Sequence, residues 1–340
     1  MCELSKEETE VTNELDFLKN KYRVEIMIGY GSFSSVYKAV NIENNTDVAL
    51  KVITKTTSPS RILDELKVLK KLNGANFCIP LLDVLRNNDQ VVAVFPLIDG
   101  VKFKKFIEVA TIEDIKTYMH CLLTAVDHIH KQGYIHRDIK PSNFLYDMNL
   151  KIGFIIDFGL TQTIKAMPIA PKAKEPFVLF FNSIVKQSKP PGYYDKDTRP
   201  KMKAHRAGTR GFRAPEVLFK YQYQTQKIDI WSVGVILLCI LTTQYPFFLS
   251  NDDIDALVEL GTIFGHTQMR KTAKLFSRVW KSNINTITED GIGLENLIVK
   301  LNNYFIFNED VIDLLKKLLE LDPNKRISAE EALNHDFFKE

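Results

Sequence analysis

Residues 135–160, IHRDIKPSNFLYDMNLKIGFIIDFGL, constrain this chain more than any other stretch. They set two acids and an amide on two short loops separated by an apolar run. Asp138 and Asn143 lie five apart on the first loop, and Asp157 opens the second, directly after Phe154–Ile156. A hard cation such as Mg²⁺ prefers oxygen ligands and keeps several waters, so beside phosphate oxygens it needs only one or two side chains. Asn143 and Asp157 suit that task. Asp138 is then left to orient a hydroxyl nucleophile.

Bulk properties set the outer limits. At 340 residues the chain is long for one hydrophobic core and suits two lobes. Apolar content of 45% and charged content of 26% are those of a soluble globular protein. A net charge of +3 is too small to imply nucleic acid, and no direct nucleic-acid binding is expected. The four cysteines (Cys2, Cys78, Cys121, Cys239) show no paired spacing, which fits reduced thiols in an intracellular protein. The start, MCELSKEETE, lacks a basic-then-apolar secretion signal. The run Ile230–Leu241 is too short to span a bilayer and reads as a buried helix, so no membrane association is expected. There is no internal repeat.

Residues 3–20 are acidic and predict a short helix, with Leu15 and Leu18 docking on the body. Val24–Ile28 then alternates into Gly29-Tyr30-Gly31-Ser32-Phe33-Ser34-Ser35-Val36. Glycines let backbone approach phosphates closely and present N–H donors to them. Ser34 stands where a third glycine would complete the motif, and a plain Gly-rich hairpin would read the same way. Asn44-Asn45 turns the chain into DVALKVI, whose period of two puts Ala49, Lys51 and Ile53 on one face. A lysine among apolar neighbours on a strand needs an anion. Fourteen residues later, Glu65 lies in RILDELKVLKKL, a helical pattern through Ile62, Leu66, Leu69 and Leu72. Asp64 is adjacent, so the spacing alone does not choose between the two acids. Two strands follow, around Ile79–Leu85 and Gln90–Phe95. Thr111 and Asp114 predict an N-cap for a helix with the apolar stripe Ile115, Tyr118, Met119, Leu122, Val126 and Ile129, ended by Gly133.

The order H-R-D-x-x-x-x-N then D-F-G is a known signature, and with AGTRGFRAPE further on the chain resembles a eukaryotic-type protein kinase over about residues 22–340. The resemblance implies an α+β, two-lobed fold: a small antiparallel-sheet N-lobe with one helix (22–95) and a larger, mainly helical C-lobe (96–340), after an extension at 1–21. It implies ATP and Mg²⁺, with Ile28, Gly29, Gly31, Ser34, Val36, Ala49, Lys51, Glu65 and the hinge residues Phe95 and Leu97 around the nucleotide. Glu65 is chosen as the partner of Lys51 on this ground. Asp138 would orient the substrate hydroxyl, Lys140 would stabilise charge on the transferred phosphoryl group, and Asn143 and Asp157 would hold metal. His136 would be structural, and Arg137 would face the segment between D-F-G and A-P-E. Thr209 would bond near Asp138 and Lys140, Glu216 would pair with Arg326, and Asp229 would anchor the catalytic loop. Lysine two residues after the aspartate is the serine/threonine pattern.

The segment from Asp157 to Ala214 is long for the family. Residues 163–206 carry ten Lys/Arg against three acids and are broken by six prolines. Long loops in compact domains tend to be functional or disordered, so this insertion reads as a solvated excursion or as a docking surface for a regulatory subunit. A closer resemblance, to the cell division cycle seven kinase family, rests on GYGSFSSVYKA, HRDIKPSNFLY, AGTRGFRAPEVL and LGTIFGHTQMRKTAKLF. Residues 264–308 fit it too, as a non-standard connection. Arg210 departs from it, standing where that family often has proline, and the insertions are short for it. The closer resemblance implies a Dbf-four-type activator, phosphorylation of the MCM helicase at replication origins, and a nuclear location. Arg210 and Arg213 are expected to flank the pocket for the residue after the phosphoacceptor and to favour an acidic or phosphorylated one; the alternative is that they pair with neighbouring acids. Cyclin-dependent-like and casein-kinase-like kinases are the nearest rivals. A pseudokinase would usually lack one of Lys51, Asp138, Asn143 or Asp157, and a small-molecule kinase often lacks the segment around Thr209.

Overall fold

The computed structural model describes residues 15–31, 34–54, 57–164, 208–303 and 308–339. The helix expected over 3–20 is therefore described only at its end, and the basic insertion lies outside the described residues from 165 on.

The first half of the described chain is one antiparallel sheet. Strands β1 (Tyr22–Tyr30), β2 (Ser34–Asn41) and β3 (Thr46–Ile53) precede helix α1 (Pro59–Leu72), and β4 (Asp83–Asn87) and β5 (Gln90–Pro96) follow it; the strand order is β1-β2-β3-β5-β4. The β2–β3 hairpin turns at Asn44-Asn45. Asn45 takes a φ of 55°, and the Asn44 side chain accepts the Thr46 N–H at 3.1 Å. Asparagine tolerates this left-handed conformation and bonds to backbone nearby.

The predicted alternation separates the two faces of the sheet. Ala39, Val48, Leu50, Val92 and Val94 form one core with Leu15, Leu18 and Tyr22, so the docking expected of the two leucines is found. A 3₁₀ turn over Asp16–Leu18 carries them there. The opposite face presents a cross-strand row in which Gly29 faces Val36, Val36 faces Lys51 and Lys51 faces Ala93. Helix α1 buries Val68, Leu69 and Leu72, and it ends at Asn73 in the left-handed conformation.

The rest of the chain is mainly helical: α2 (Phe103–Val109), α3 (Ile112–Lys131), α4 (Pro215–Leu218), α5 (Lys227–Thr242), α6 (Asp253–Leu275), α7 (Leu294–Leu301), α8 (Glu309–Leu318) and α9 (Ala329–Leu333). Short strands β6 (Tyr134–Ile135), β7 (Phe144–Asp147), β8 (Ile152–Ile155) and β9 (Gln162–Thr163) pair β6 with β9 and β7 with β8. Thr111 and Asp114 form the expected capping box on α3. Helix α5 is apolar on every side and buried from Ile228 to Thr242, the arrangement such a sequence requires in water. Among the described residues no helix is long and apolar enough to cross a membrane. A sheet with one helix beside a larger helical body is the two-lobed α+β architecture expected.

Within 264–303, α6 kinks at Gly265, where φ is 77°. The 288–291 loop closes against the kink: His266 N–H reaches the Thr288 carbonyl at 2.9 Å and Thr267 N–H reaches that of Glu289 at 3.0 Å. A Cβ on residue 265 would come within 2.4 Å of the Glu289 carbonyl oxygen, so only glycine fits.

Candidate active site

The loop from His136 to Asn143 joins β6 to β7, and a buried carboxylate on α5 holds it. Asp229 accepts the backbone N–H groups of His136 and Arg137, both at 2.8 Å, and a 2.8 Å bond from His130 Nε2. Burial disfavours charge on Asp229, but the His130 bond and charge, with the loop N–H donors, outweigh it and hold the pKa below the usual carboxylate range. Arg137 adopts a φ of 72° at this anchor. Its guanidinium reaches Gln162 Oε1 at 2.6 Å, in the opening of the next segment, and Gln224 Oε1 at 3.3 Å. His136 is buried with its ring edge-on to Phe158, 5.3 Å between centroids, and burial lowers its pKa and favours the neutral imidazole.

Four groups converge on Asp138. Oδ1 accepts the Thr209 N–H at 2.9 Å and the Thr209 hydroxyl at 2.8 Å. Oδ2 faces Lys140 Nζ at 2.9 Å and Asn143 Nδ2 at 3.1 Å. Lys140 also donates to Thr209 Oγ1 at 2.9 Å. Burial again opposes the charge, and the Lys140 ammonium with both Thr209 donors overrides it, so the Asp138 pKa is lowered. The result is an ionised carboxylate held by fixed donors at the mouth of the loop.

A second cluster lies across the cleft. Lys51 Nζ is 2.7 Å from Glu65 Oε1 and 3.2 Å from Asp157 Oδ1. Desolvation works against the ammonium, but the charges of Asp157 and Glu65 raise the lysine pKa on balance. Asp157 responds in the opposite direction: against burial, the Lys51 charge and the Gly159 N–H lower its pKa. Of the two acids left open by spacing, the sheet and α1 bring Glu65 to the lysine; Asp64 points to Lys67 at 3.9 Å.

The two loops are locked in register, because the Ile156 N–H donates to the Asn143 carbonyl at 3.0 Å. Asp157 Oδ2 and Asn143 Oδ1 have no protein partner among the described residues. Two unpaired hard oxygens on adjacent loops fit Mg²⁺, which takes a few protein oxygens and leaves the rest to phosphate and water. Among the described residues no group of three His, Cys, Asp or Glu could cage a metal alone, so any ion here would depend on phosphate oxygens as well.

Above the Lys51 face lies the glycine-containing hairpin. Gly31 N–H bonds to the Ser34 carbonyl at 2.8 Å. A Cβ at Gly29 would meet only the Val36 side chain, at 3.7 Å, an ordinary contact. Among the described residues, nothing packed against Gly29 therefore demands glycine there. Ile28 is half-exposed, Val36 and Ala49 are partly buried, Phe95 is buried opposite Ala49, and Leu97 follows the end of β5. Ser32 and Phe33, at the tip, lie outside the described residues.

The two segment arginines part company. Arg213 donates twice to the Gly208 carbonyl, at 3.0 and 2.8 Å, and pairs with Asp253 at 3.0 Å. Its guanidinium is occupied within the protein. Arg210 is exposed and donates to the Ser250 carbonyl at 3.1 Å. Among the described residues, pairing with a neighbouring acid thus holds for Arg213 and not for Arg210. Glu216 and Arg326 meet as expected in a bidentate bridge of 2.8 and 3.0 Å, fully buried.

Sequence reasoning missed His130, Gln162, Gln224 and Asp253. The acidic run NDDID announces a helix start but not a partner for Arg213. The other three carry no local signal, since what they bind is 25 to 99 positions away.

Comparison with known proteins agrees with this geometry. The protein kinase domain model matches residues 22–338. The chain is 52% identical over 334 residues to a probable cell division control protein 7 homolog of Encephalitozoon cuniculi, covering 95% of this chain and 93% of that one. It is 39% identical over 376 residues to the cell cycle serine/threonine-protein kinase hsk1 of Schizosaccharomyces pombe, covering 96% and 74%. It is also 40% identical over 370 residues to the cell cycle protein kinase spo4 of that yeast, covering 94% and 86%. A lysine–glutamate pair facing an aspartate loop, and a second aspartate gripped by lysine and threonine, are what phosphoryl transfer from a nucleotide to a hydroxyl requires. The chain belongs to the protein kinase family and, within it, to the serine/threonine kinases resembling cell division control protein 7.

Proposed function

We propose that this kinase transfers the ATP γ-phosphate to serine or threonine in acidic protein segments and acts in the cell cycle, at the initiation of DNA replication. The convergence of Lys140, Thr209 and Asn143 on Asp138 carries the reading. Asp138 orients the substrate hydroxyl and accepts its proton. Lys140 lies within 3 Å of that carboxylate and stabilises charge on the phosphoryl group in flight. Lys51, steadied by Glu65, holds the α- and β-phosphates, with the Gly29–Val36 hairpin above them and Ala49, Phe95 and Leu97 around the base. Asn143 and Asp157 are the residues that would hold Mg²⁺, whose part is to neutralise the phosphate oxygens. Catalysis of this kind is positioning and electrostatics, with no covalent enzyme intermediate.

The test is γ-phosphate transfer from Mg-ATP to a protein acceptor by the unmodified chain and by Lys51→Met and Asp157→Ala. Transfer that survives both substitutions would overturn the site assignment.

Substrate choice follows from the exposed arginine. Among the described residues of the segment, Arg210 is the arginine left exposed, and it would meet a carboxylate or phosphate directly after the acceptor. Peptides with Glu or phosphoserine there should outrun Ala, and Arg210→Ala should abolish the difference; a preference for proline or a basic residue would refute the reading. The likeness to cell division control protein 7 homologs and to hsk1 supports a Dbf-four-type activator, MCM helicase subunits as substrates and a nuclear location. Co-purification separates the branches: a zinc-containing replication activator supports this reading, and a cyclin replaces it.

A further inference from the structure

The loop between α5 and α6 runs against the segment that carries the arginines. A Cβ on Gly211 would sit 3.1 Å from the Phe248 carbonyl oxygen, so the two backbones are in close contact. Carboxylates of α6 and its cap tie this loop down. Asp252 accepts the N–H groups of Ile254 and Asp255 at 2.7 and 2.9 Å, and Asp255 accepts that of Asn251 at 3.3 Å. Glu259 accepts the Leu249 N–H at 3.0 Å. A backbone fixed at four points presents its side chains at fixed positions.

Two of those side chains are apolar and face solvent. Leu249 is 71% and Ile254 66% exposed. Each neighbours a group that binds a segment arginine: Leu249 precedes Ser250, whose carbonyl takes Arg210, and Ile254 follows Asp253, whose carboxylate takes Arg213. A single exposed leucine is ordinary. Here two stand on tied backbone, each next to a residue that a segment arginine reaches, and Thr209, which precedes Arg210, is itself bonded to Asp138. A peptide whose acceptor reached Asp138 and whose acidic residue reached Arg210 would pass beside the backbone that carries the two side chains.

We propose that Leu249 and Ile254 form an apolar rim of the substrate groove and select substrates carrying an apolar side chain close to the acidic residue. This rests on the assignment of Arg210 above, and it names the second chemical feature of the substrate. The occupant is the substrate segment itself, because the residues next to the pair, Ser250 and Asp253, bind the two arginines that follow Thr209 in the segment bonded to Asp138.

The test walks one leucine through the three positions on either side of the serine, in peptides that keep glutamate directly after the serine where the walk allows it. The full chain is used, alone and as the double variant Leu249→Ser, Ile254→Ser, with thermal unfolding measured on both. One position should raise kcat/KM about tenfold over serine at the same place, the scale of apolar discrimination in a pocket. The double variant should lose that gain and keep the Arg210-dependent preference for glutamate over alanine. No favoured position, or a preference unchanged in the variant, overturns the proposal. A variant that slows every peptide alike, or that changes oligomeric state on gel filtration, assigns the pair to another chain and overturns it too. If glutamate and alanine are not distinguished by the unmodified chain, the Arg210 assignment fails, while the leucine walk still decides the rim.

Discussion

Thr209 and Asp138 are joined twice, through the backbone N–H and the hydroxyl of the threonine, at 2.9 and 2.8 Å on the same carboxylate oxygen. With Lys140 on the other oxygen, this lowers the Asp138 pKa against the pull of burial. The sign follows directly. A carboxylate whose folded pKa is depressed contributes stability above its unfolded value, about 3.9, and loses that contribution as pH falls through the lower folded value. Asp138 therefore stays ionised through the neutral range, and any acid limb it imposes on kcat/KM should lie below about pH 4. Lys140→Ala removes the strongest lowering influence and should move that limb upward. Thr209→Ala leaves the backbone bond and removes the hydroxyl, and should cut kcat about tenfold. Steady-state pH–rate profiles of the three proteins check all of this.

The Lys51–Glu65 contact at 2.7 Å predicts a graded response. Glu65→Gln keeps a hydrogen-bond acceptor and loses the charge, so kcat/KM should fall about tenfold. Lys51→Met removes the group that meets the phosphates and should cost at least about a hundredfold. Equal losses in the two variants would mean that the glutamate does more than steady the lysine.

Asp229 predicts a structural loss that reaches the chemistry. Asp229→Asn puts an amide N–H₂ where one carboxylate oxygen now accepts, leaving a buried loop N–H or His130 unpaired. Stability should drop by about 1–3 kcal/mol and kcat should fall with it. Its lowered pKa also means that the parent has an acid-sensitive term below about pH 4 that the variant lacks. Urea denaturation at pH 3.5 and pH 7 should show a smaller difference for the variant.

The buried Glu216–Arg326 bridge should behave as an obligate pair. Arg326→Met strands a carboxylate that is 1% exposed, and unfolding free energy should fall by about 3–5 kcal/mol. Adding Glu216→Gln should restore part of that. Chemical denaturation of both singles and the double forms the cycle.

Arg213 and Arg210 should separate experimentally. Arg213→Ala breaks the 3.0 Å pair with Asp253 and two bonds to the Gly208 carbonyl, so it should lower thermal stability and activity on every peptide. Arg210→Ala touches one exposed contact and should change only which peptide is preferred. Melting curves and a two-peptide comparison distinguish them.

Much of this molecule is legible from its residues because the information is local. Thr111 and Asp114 cap a helix with each other, Asn44-Asn45 turns a hairpin, and strict alternation sends Lys51 to one face of β3 and Leu50 to the other. The loop H-R-D-x-x-x-x-N carries its own chemistry, since Asp138 and Asn143 meet within five positions. Even the burial of Leu15 and Leu18 follows from two leucines in an acidic stretch.

Other relations exist only once distant segments pack. The sequence left Lys51 to choose between Asp64 and Glu65, and the rotation of α1 against the sheet chose. It offered two arginines as equals, and the first turn of α6 took Arg213 through Asp253, forty positions away, while leaving Arg210 exposed. Arg137 has its glutamines, and Asp229 its loop, on the same terms. Periodicity, capping and turns are decided by neighbours along the chain, whose geometry the peptide bond dictates. The pairing of buried charges is decided by which surfaces exclude water together, and that depends on the whole fold at once.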